Sequence, residues 1–154
     1  MQLAMDARHV AGVDYGGAVR LWELHTRQKV RGFSDNVGGH VLALSEYHVV
    51  AGGDDGAFVW DRCTGALRHR LHEGERVTAI AALDDLLAIA TEPFSRTHRE
   101  AVDATIHLWH AITGEKLQEL HGHTRGITCL DLTDGMLTSA GWDSTLRVWQ
   151  AGAA

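Results

Sequence analysis

Proline, cysteine and long apolar runs are scarce in this chain of 154 residues. It has one proline and two cysteines, Cys63 and Cys129, which could form one disulfide at most, so a disulfide-stapled secreted scaffold is not expected. No apolar run approaches the roughly 18 residues of a membrane-spanning helix. The N-terminus also lacks the basic and apolar segments of a signal peptide. We therefore expect an intracellular, cytoplasmic protein with reduced thiols and no membrane contact.

Positive charge is sparse as well. The 14 Lys and Arg residues are outnumbered by 20 Asp and Glu, and the net charge is -6. Proteins that bind nucleic acid usually gather basic side chains into a patch or stripe, whereas these are spread thinly along the chain. We expect no nucleic-acid partner.

Glycine and tryptophan are frequent, with 17 and five residues. Four of the tryptophans recur in one context, at AVRLWEL, AFVWDRCTG, TIHLWHAITG and TLRVWQAG, and they lie 38, 49 and 40 residues apart at Trp22, Trp60, Trp109 and Trp149. A fixed period of this size is typical of repeat architectures. The unit is therefore about 40 residues long, with an insertion in the third copy.

Each unit alternates apolar and polar residues with period two, and glycine, aspartate or asparagine separates the short apolar runs. This pattern predicts half-buried antiparallel strands. In the fourth unit it predicts three strands, Ile127 to Leu132, Met136 to Ala140 and Thr145 to Trp149. In the earlier units a further strand follows the tryptophan, at Gln28 to Phe33, Leu67 to Leu71 and Lys116 to Leu120.

Two strings in the fourth unit carry a family resemblance. LHGHTRGI at Leu120 to Ile127 and SAGWDSTLRVW at Ser139 to Trp149 resemble the WD-repeat type of β-propeller, whose blades are four-stranded antiparallel sheets. The resemblance implies an all-β fold in a single partial β-propeller domain over 1–154, with repeats at approximately 1–33, 34–71, 72–120 and 121–154. A narrower similarity connects the repeats with the WD-repeat segments of F-box proteins.

Both ends of the chain bear on ring closure. Aligning the first and fourth tryptophan places Leu3 opposite Leu130, so the chain is expected to start inside the first strand, and only five residues follow Trp149. Four blades are about half of a seven- or eight-bladed ring. We therefore expect an open half-propeller with incomplete first and last blades. Another polypeptide, a second copy of the chain or the remainder of a longer protein would complete it.

The resemblance also implies a structural network. In WD repeats a histidine, a serine or threonine, an aspartate and the tryptophan form a buried hydrogen-bonded chain, and the matching residues here are His123, Ser139, Asp143 and Trp149. The serine position holds Ala51 in the second unit and Ile89 in the third. These units are expected to depend on apolar packing instead.

The turn between the second and third strands lies on the face where partners of WD propellers dock, according to the same resemblance. It carries Tyr15 and Trp142, two residue types that often anchor interfaces. Thr128 lies at the start of a first strand on this face. The insertion at Glu92 to Val102 reaches the same face and contributes Phe94, Arg96 and Arg99. We consider all six residues candidates for partner binding.

Eleven histidines raise the question of a metal, especially in the pairs His69/His72, His107/His110 and His121/His123. A structural zinc ion needs four N, S or O ligands, and these pairs fall on strands or turns without a nearby cysteine. No phosphate-binding glycine loop or serine elbow is present either. We expect no metal, no cofactor and no catalysis, but a protein–protein interaction scaffold in a larger assembly. The alternative is the substrate-recognition part of an F-box ubiquitin-ligase receptor.

Overall fold

The structure, a computed structural model, describes residues 2–33, 38–93 and 103–150, which form fifteen β-strands in four antiparallel sheets and no helix. The prediction of an all-β chain of four blades is confirmed. Each sheet follows the chain order of its strands. The glycines and aspartates that separate the apolar runs lie in the tight turns between strands.

The strand bounds agree closely with the period-two segments. The first blade comprises β1 (Gln2–Met5), β2 (His9–Val13), β3 (Val19–Glu23) and β4 (Lys29–Phe33). The second comprises β5 (Gly39–Leu44), β6 (His48–Gly53), β7 (Gly56–Asp61) and β8 (Leu67–Leu71). The third comprises β9 (Arg76–Leu83), β10 (Leu86–Glu92), β11 (Ala104–His110) and β12 (Glu115–His123), and the fourth comprises β13 (Ile127–Thr133), β14 (Met136–Gly141) and β15 (Leu146–Gln150).

The terminal blades differ from the inner two. The first blade has all four strands, but β1 spans only four residues where the equivalent β13 spans seven. The fourth blade has three strands within the described residues, so β15 is a sheet edge there. Within residues 2–33, 38–93 and 103–150, the half-propeller is thus open at both ends.

The hydrophobic core lies between blades. One cluster joins the first and second blades around Leu21 and Trp60. A second joins the second and third blades around Val59 and Leu87, and a third joins the third and fourth around Ile106. Both faces of β9 are buried, because this strand lies between two neighbouring blades.

Polar links on the outer strands also connect one blade to the next. Arg31 in β4 donates to the backbone carbonyls of Cys63 and Thr64 at 2.7 Å each, and His69 Nε2 in β8 donates to the Ile112 carbonyl at 2.9 Å. The adjacent Gly65 has φ of 76°, and a Cβ there would lie 2.7 Å from the Arg31 side chain. Glycine at this turn therefore permits both the backbone conformation and the link.

Candidate interaction site

The fourth blade contains a continuous chain of polar contacts. His123 Nδ1 lies 2.8 Å from Asp143 Oδ2, His123 Nε2 lies 2.7 Å from Ser139 Oγ, and Trp149 Nε1 donates to the same Oγ at 2.9 Å. His123 and Ser139 are buried. The structure brings together all four residues that the family resemblance singles out, and the chain links the outer strand of the third blade to β14 and β15.

Asp143 is the centre of the turn between β14 and β15. Burial alone would raise the pKa of its carboxyl group, but hydrogen bonds from Thr145, His123 and Thr124 outweigh burial and hold that pKa well below its usual value. The two backbone amides donate at 3.0 Å and 3.1 Å. The carboxylate therefore stays ionised and connects the turn to the preceding blade.

In the second blade the tryptophan has no such partner. Trp60 is completely buried, and its indole nitrogen has no hydrogen-bond partner among the described residues. Its ring packs against Phe33 and Phe58, with centroids 5.4 Å and 5.8 Å away. Apolar packing replaces the network here, as the alanine at position 51 predicts.

The third blade differs from our expectation of apolar packing, which was wrong for this blade. Trp109 Nε1 donates directly to His72 Nε2 at 3.1 Å, and His72 Nδ1 bonds Glu75 Oε2 at 2.9 Å. His72 precedes β9 by the same four residues that separate His123 from β13. This spacing could have identified His72 as the partner of Trp109. Its acidic partner could not be found in the same way, because Glu75 lies between β8 and β9, whereas Asp143 lies between β14 and β15.

A second histidine lies against His72. The His107 and His72 rings have centroids 4.3 Å apart, and His107 Nε2 lies 3.1 Å from Thr91 Oγ1. Burial lowers the pKa of His107 to about 4, and the neighbouring His72 adds to this effect. Burial likewise lowers the pKa of His72, although Glu75 opposes the shift. Both rings are therefore neutral at neutral pH.

The first strands of the last three blades each carry a bulge near their start. The register skips one residue in each strand, namely His40, Thr78 and Thr128. A bulge re-aims the side chain of the extra residue, and all three line one concave surface together with Trp142. We call this surface, formed by His40, Val41, Arg76, Val77, Thr78, Glu92, Gly126, Ile127, Thr128 and Trp142, the upper cleft.

Charged groups in the upper cleft are paired. Arg76 Nη1 lies 3.1 Å from Glu92 Oε1, and Arg76 Nε lies 3.4 Å from Asp54 Oδ1. Glu92 packs so closely over Gly126 that a Cβ at that residue would clash with the Glu92 carboxylate. Arg76 is thus engaged by two carboxylates, and the cleft offers a neutral-to-acidic surface with one aromatic ring.

The residues predicted to bind a partner do not lie on one common surface. Trp142 and Thr128 line the upper cleft, where Thr128 Oγ1 donates to the Ala140 carbonyl. Tyr15 is 94% exposed in the turn between β2 and β3, and it does not line the cleft. Phe94, Arg96 and Arg99 lie outside the described residues. Sequence reasoning missed Arg76 and Glu92, because their roles depend on a cleft built from several blades.

The outer face of the fourth blade is open. Leu146 and Val148 occupy the same positions before the tryptophan as Ile106 and Leu108 do in the third blade. Ile106 and Leu108 are 0% and 3% exposed, but Leu146 and Val148 are 71% and 61% exposed. Cys129 is a free cysteine and also lies exposed in this blade. We call the face formed by Cys129, Met136, Leu146 and Val148 the front flank.

The first blade is open on its opposite face. Leu3 and Met5 are 61% and 67% exposed, whereas Leu130 and Leu132, which occupy the equivalent positions in β13, are 8% and 7% exposed. We call the face formed by Leu3, Met5, Val10 and Trp22 the back flank. The front flank thus corresponds to one side of the interface between two internal blades, and the back flank corresponds to the other side. Both flanks carry apolar residues at the positions that are buried in that interface.

Four-stranded antiparallel sheets that pack face to face in succession define the β-propeller class. Solved structures agree with this assignment. The crystal structure of the computationally designed Ika4 protein is similar over 97% of this chain and 89% of that chain, with a TM-score of 0.77 and 24% identity. BamB from Moraxella catarrhalis is similar over 97% of this chain and 42% of that chain, with a TM-score of 0.75 and 16% identity.

Within this class, the last repeat of the chain matches a known repeat family. The family model "WD domain, G-beta repeat" matches residues 114–150. The guanine nucleotide-binding protein subunit beta of Dictyostelium discoideum is 41% identical over 49 residues, covering 30% of this chain and 14% of that protein. Mitochondrial division protein 1 of Mycosarcoma maydis is 30% identical over 59 residues, covering 38% and 7%.

A probable E3 ubiquitin ligase complex SCF subunit scon-2 of Neurospora crassa is 44% identical over 34 residues, covering 22% of this chain and 5% of that protein. The chain thus spans well under a fifth of the length of each of these three curated relatives. Among residues 2–33, 38–93 and 103–150 there is no helix with the length and apolar character that crossing a membrane requires.

Proposed function

We propose that the chain is a non-enzymatic interaction subunit that binds the blade surface of a partner polypeptide at its open flanks. The observation that carries the proposal is the exposure of Leu146 and Val148 at positions that are buried in the third blade. Apolar surface of this kind is favourable to bury. WD repeats in general mediate contacts between proteins, and this also supports an interaction function.

The chemistry of the flanks indicates the kind of partner. First, a partner surface that covers the front flank needs apolar side chains with the spacing of Leu130 and Leu132. Second, the partner can add a strand to the sheet, because the backbone edge of β15 is open within the described residues. A second copy of the chain satisfies the first requirement, because its Leu3 and Met5 repeat that arrangement on the back flank.

Sedimentation velocity of the purified full chain, across a concentration series, tests this function. We expect the mass to rise from monomer to a larger assembly with concentration, or a stable complex to form with a co-purifying polypeptide. Sedimentation as a monomer at all concentrations, together with no bound polypeptide after native purification, would refute the proposal.

The upper cleft supports a second, separate contact, with an extended peptide. Trp142 is an exposed aromatic side chain beside three bulge residues, and such rings often anchor interfaces. An F-box receptor that reads phosphorylated peptides would need free arginines here. The pairing of Arg76 with Glu92 and Asp54 argues against that alternative.

Tyr15 and Trp142 lie in equivalent turns, between β2 and β3 and between β14 and β15. Replacing both by alanine tests partner binding on the face of the blades that carries these turns. We expect partner capture by the immobilised chain to fall by roughly tenfold or more, the effect of losing a typical interface anchor, and the melting temperature to stay unchanged because both side chains are exposed. The exposed Tyr47, on the opposite side of the second blade, provides a matched control as Tyr47→Ala. Equal capture by the double variant and the control would exclude this face.

A further inference from the structure

His72, Glu75 and His107 form a cluster in the third blade that the interaction function does not use. Each residue offers one ligand atom, and these atoms all lie within 4.8 Å of one another. His72 and Glu75 lie in the connection between β8 and β9, and His107 projects from β11. The pairs suggested by sequence spacing, His69 with His72 and His107 with His110, are not the ones that meet here.

We propose that His72, Glu75 and His107 bind a divalent transition-metal ion, with zinc as the best match. Two imidazole nitrogens and one carboxylate oxygen are donors that zinc commonly takes, and a solvent molecule fills the fourth position in such sites. This proposal replaces the expectation of no metal drawn from the sequence. It is independent of the proposed interaction function.

His107 provides a second observation that points to a ligand. The residue is buried, and its Nδ1 has no hydrogen-bond partner among the described residues. Buried polar atoms are rarely left without a partner. Its other ring nitrogen is held by Thr91, the kind of second contact that orients a metal-binding histidine.

The local charge favours a cation. Glu119 in β12 lies directly across from His107 in the sheet register, and its Oε1 lies 3.4 Å from His107 Nδ1 without forming a hydrogen bond to it. Lys116 pairs with Glu119 at 2.5 Å. Two carboxylates and one ammonium group around two neutral rings leave a net negative charge that a dication would offset.

Binding would rearrange one proton. His72 Nε2 accepts from Trp109, so in the neutral ring the proton lies on Nδ1 and is donated to Glu75. For Nδ1 to bind the ion, that proton moves to Nε2, the ring stays neutral, and Trp109 loses its acceptor. The ion and the Trp109 hydrogen bond therefore compete for His72.

In the part of the chain that the structure describes, the other blades do not repeat the cluster. The residue two positions before the tryptophan is His107 in the third blade, but it is Arg20, Phe58 and Arg147 in the others. His123 in the fourth blade is enclosed by Ser139 and Asp143 without a second histidine. The site is therefore specific to the third blade.

Equilibrium dialysis of the full chain against zinc chloride, with metal analysis by mass spectrometry, tests the proposal. Cobalt(II) as a second probe should give the visible absorption of a tetrahedral N and O site. We expect one ion per chain, and roughly tenfold or greater weakening in Glu75→Gln and in His107→Phe. Because the indole hydrogen bond competes, Trp109→Phe should bind the ion at least as tightly as the native chain.

The variants separate loss of the site from loss of the fold. Glu75 is about half exposed, so Glu75→Gln should leave the circular dichroism spectrum unchanged, and His107→Phe introduces the residue that the second blade has at this position. His25→Ala removes an exposed histidine outside the cluster as the matched control. The proposal is overturned if the native chain binds no ion, or if Glu75→Gln binds zinc as tightly as His25→Ala does.

Discussion

Replacing Leu146 and Val148 by glutamate is expected to abolish association through the front flank. Both side chains project from β15 into the space where a neighbouring blade would pack, and burying two carboxylates in an apolar interface is strongly unfavourable. We expect at least about 100-fold weaker association, which is the effect of losing interface anchors worth roughly 3 kcal/mol. Sedimentation equilibrium of the variant and the native chain measures the change.

The control for this variant places two glutamates elsewhere on the surface. Leu67 and Leu117 are also exposed, but they lie on the outer strands of the second and third blades, and the flanks belong to the first and fourth. The Leu67→Glu, Leu117→Glu variant adds the same charge and should associate as the native chain does. If both variants lose association equally, net charge rather than the front flank controls the assembly.

Asp143→Ala is expected to have the largest effect on stability. The change leaves His123 Nδ1 and the backbone amides of Thr124 and Thr145 without their acceptor. Losing a buried charged acceptor costs about 3 kcal/mol, which corresponds to a fall of roughly 6 to 12 °C in melting temperature for a chain of this size. Differential scanning calorimetry at low protein concentration measures it.

Acid titration gives an independent readout of the same carboxylate. Its pKa is lower in the folded chain than in the unfolded chain, so the unfolded chain binds the proton first as the pH falls below the ordinary value of 3.8. The stability that Asp143 contributes is therefore present above that value and decreases as the pH falls through it. Asp143→Ala should lose this part of the pH dependence, whereas Asp131→Ala, which removes an exposed carboxylate of β13, should retain it. Identical acid profiles for Asp143→Ala and the native chain would exclude the network as a source of stability.

The strands could be predicted from the sequence because their signals are local. Alternation and turn glycines specify β8 at Leu67–Leu71 to the residue, and β14 to within one residue of its end. The polar chain around His123 could also be predicted, but only through the family resemblance, because its four members keep the spacing of that family within one repeat. Local pattern and packing point to the same structure in these segments.

The remaining features depend on contacts between distant segments. His72 meets His107 only because β11 pairs with β10 and places its side chains beside the connection that precedes β9. The upper cleft depends on bulges, which shift the register by one residue without an obvious change in composition. Cys129 is exposed because, within the described residues, no blade packs against the front flank. The sequence of β13 alone does not predict this exposure.

The placement of the core between blades has a consequence for how the chain folds. A single blade has almost no apolar interior of its own, so it gains stability only when a neighbour docks on it, and each docking depends on the one before. Energetically the chain resembles a row of coupled units, in which the inner blades have two stabilising neighbours and the terminal blades have one. Local opening should therefore start at the two ends, and a partner bound at either flank would turn a terminal unit into an interior one.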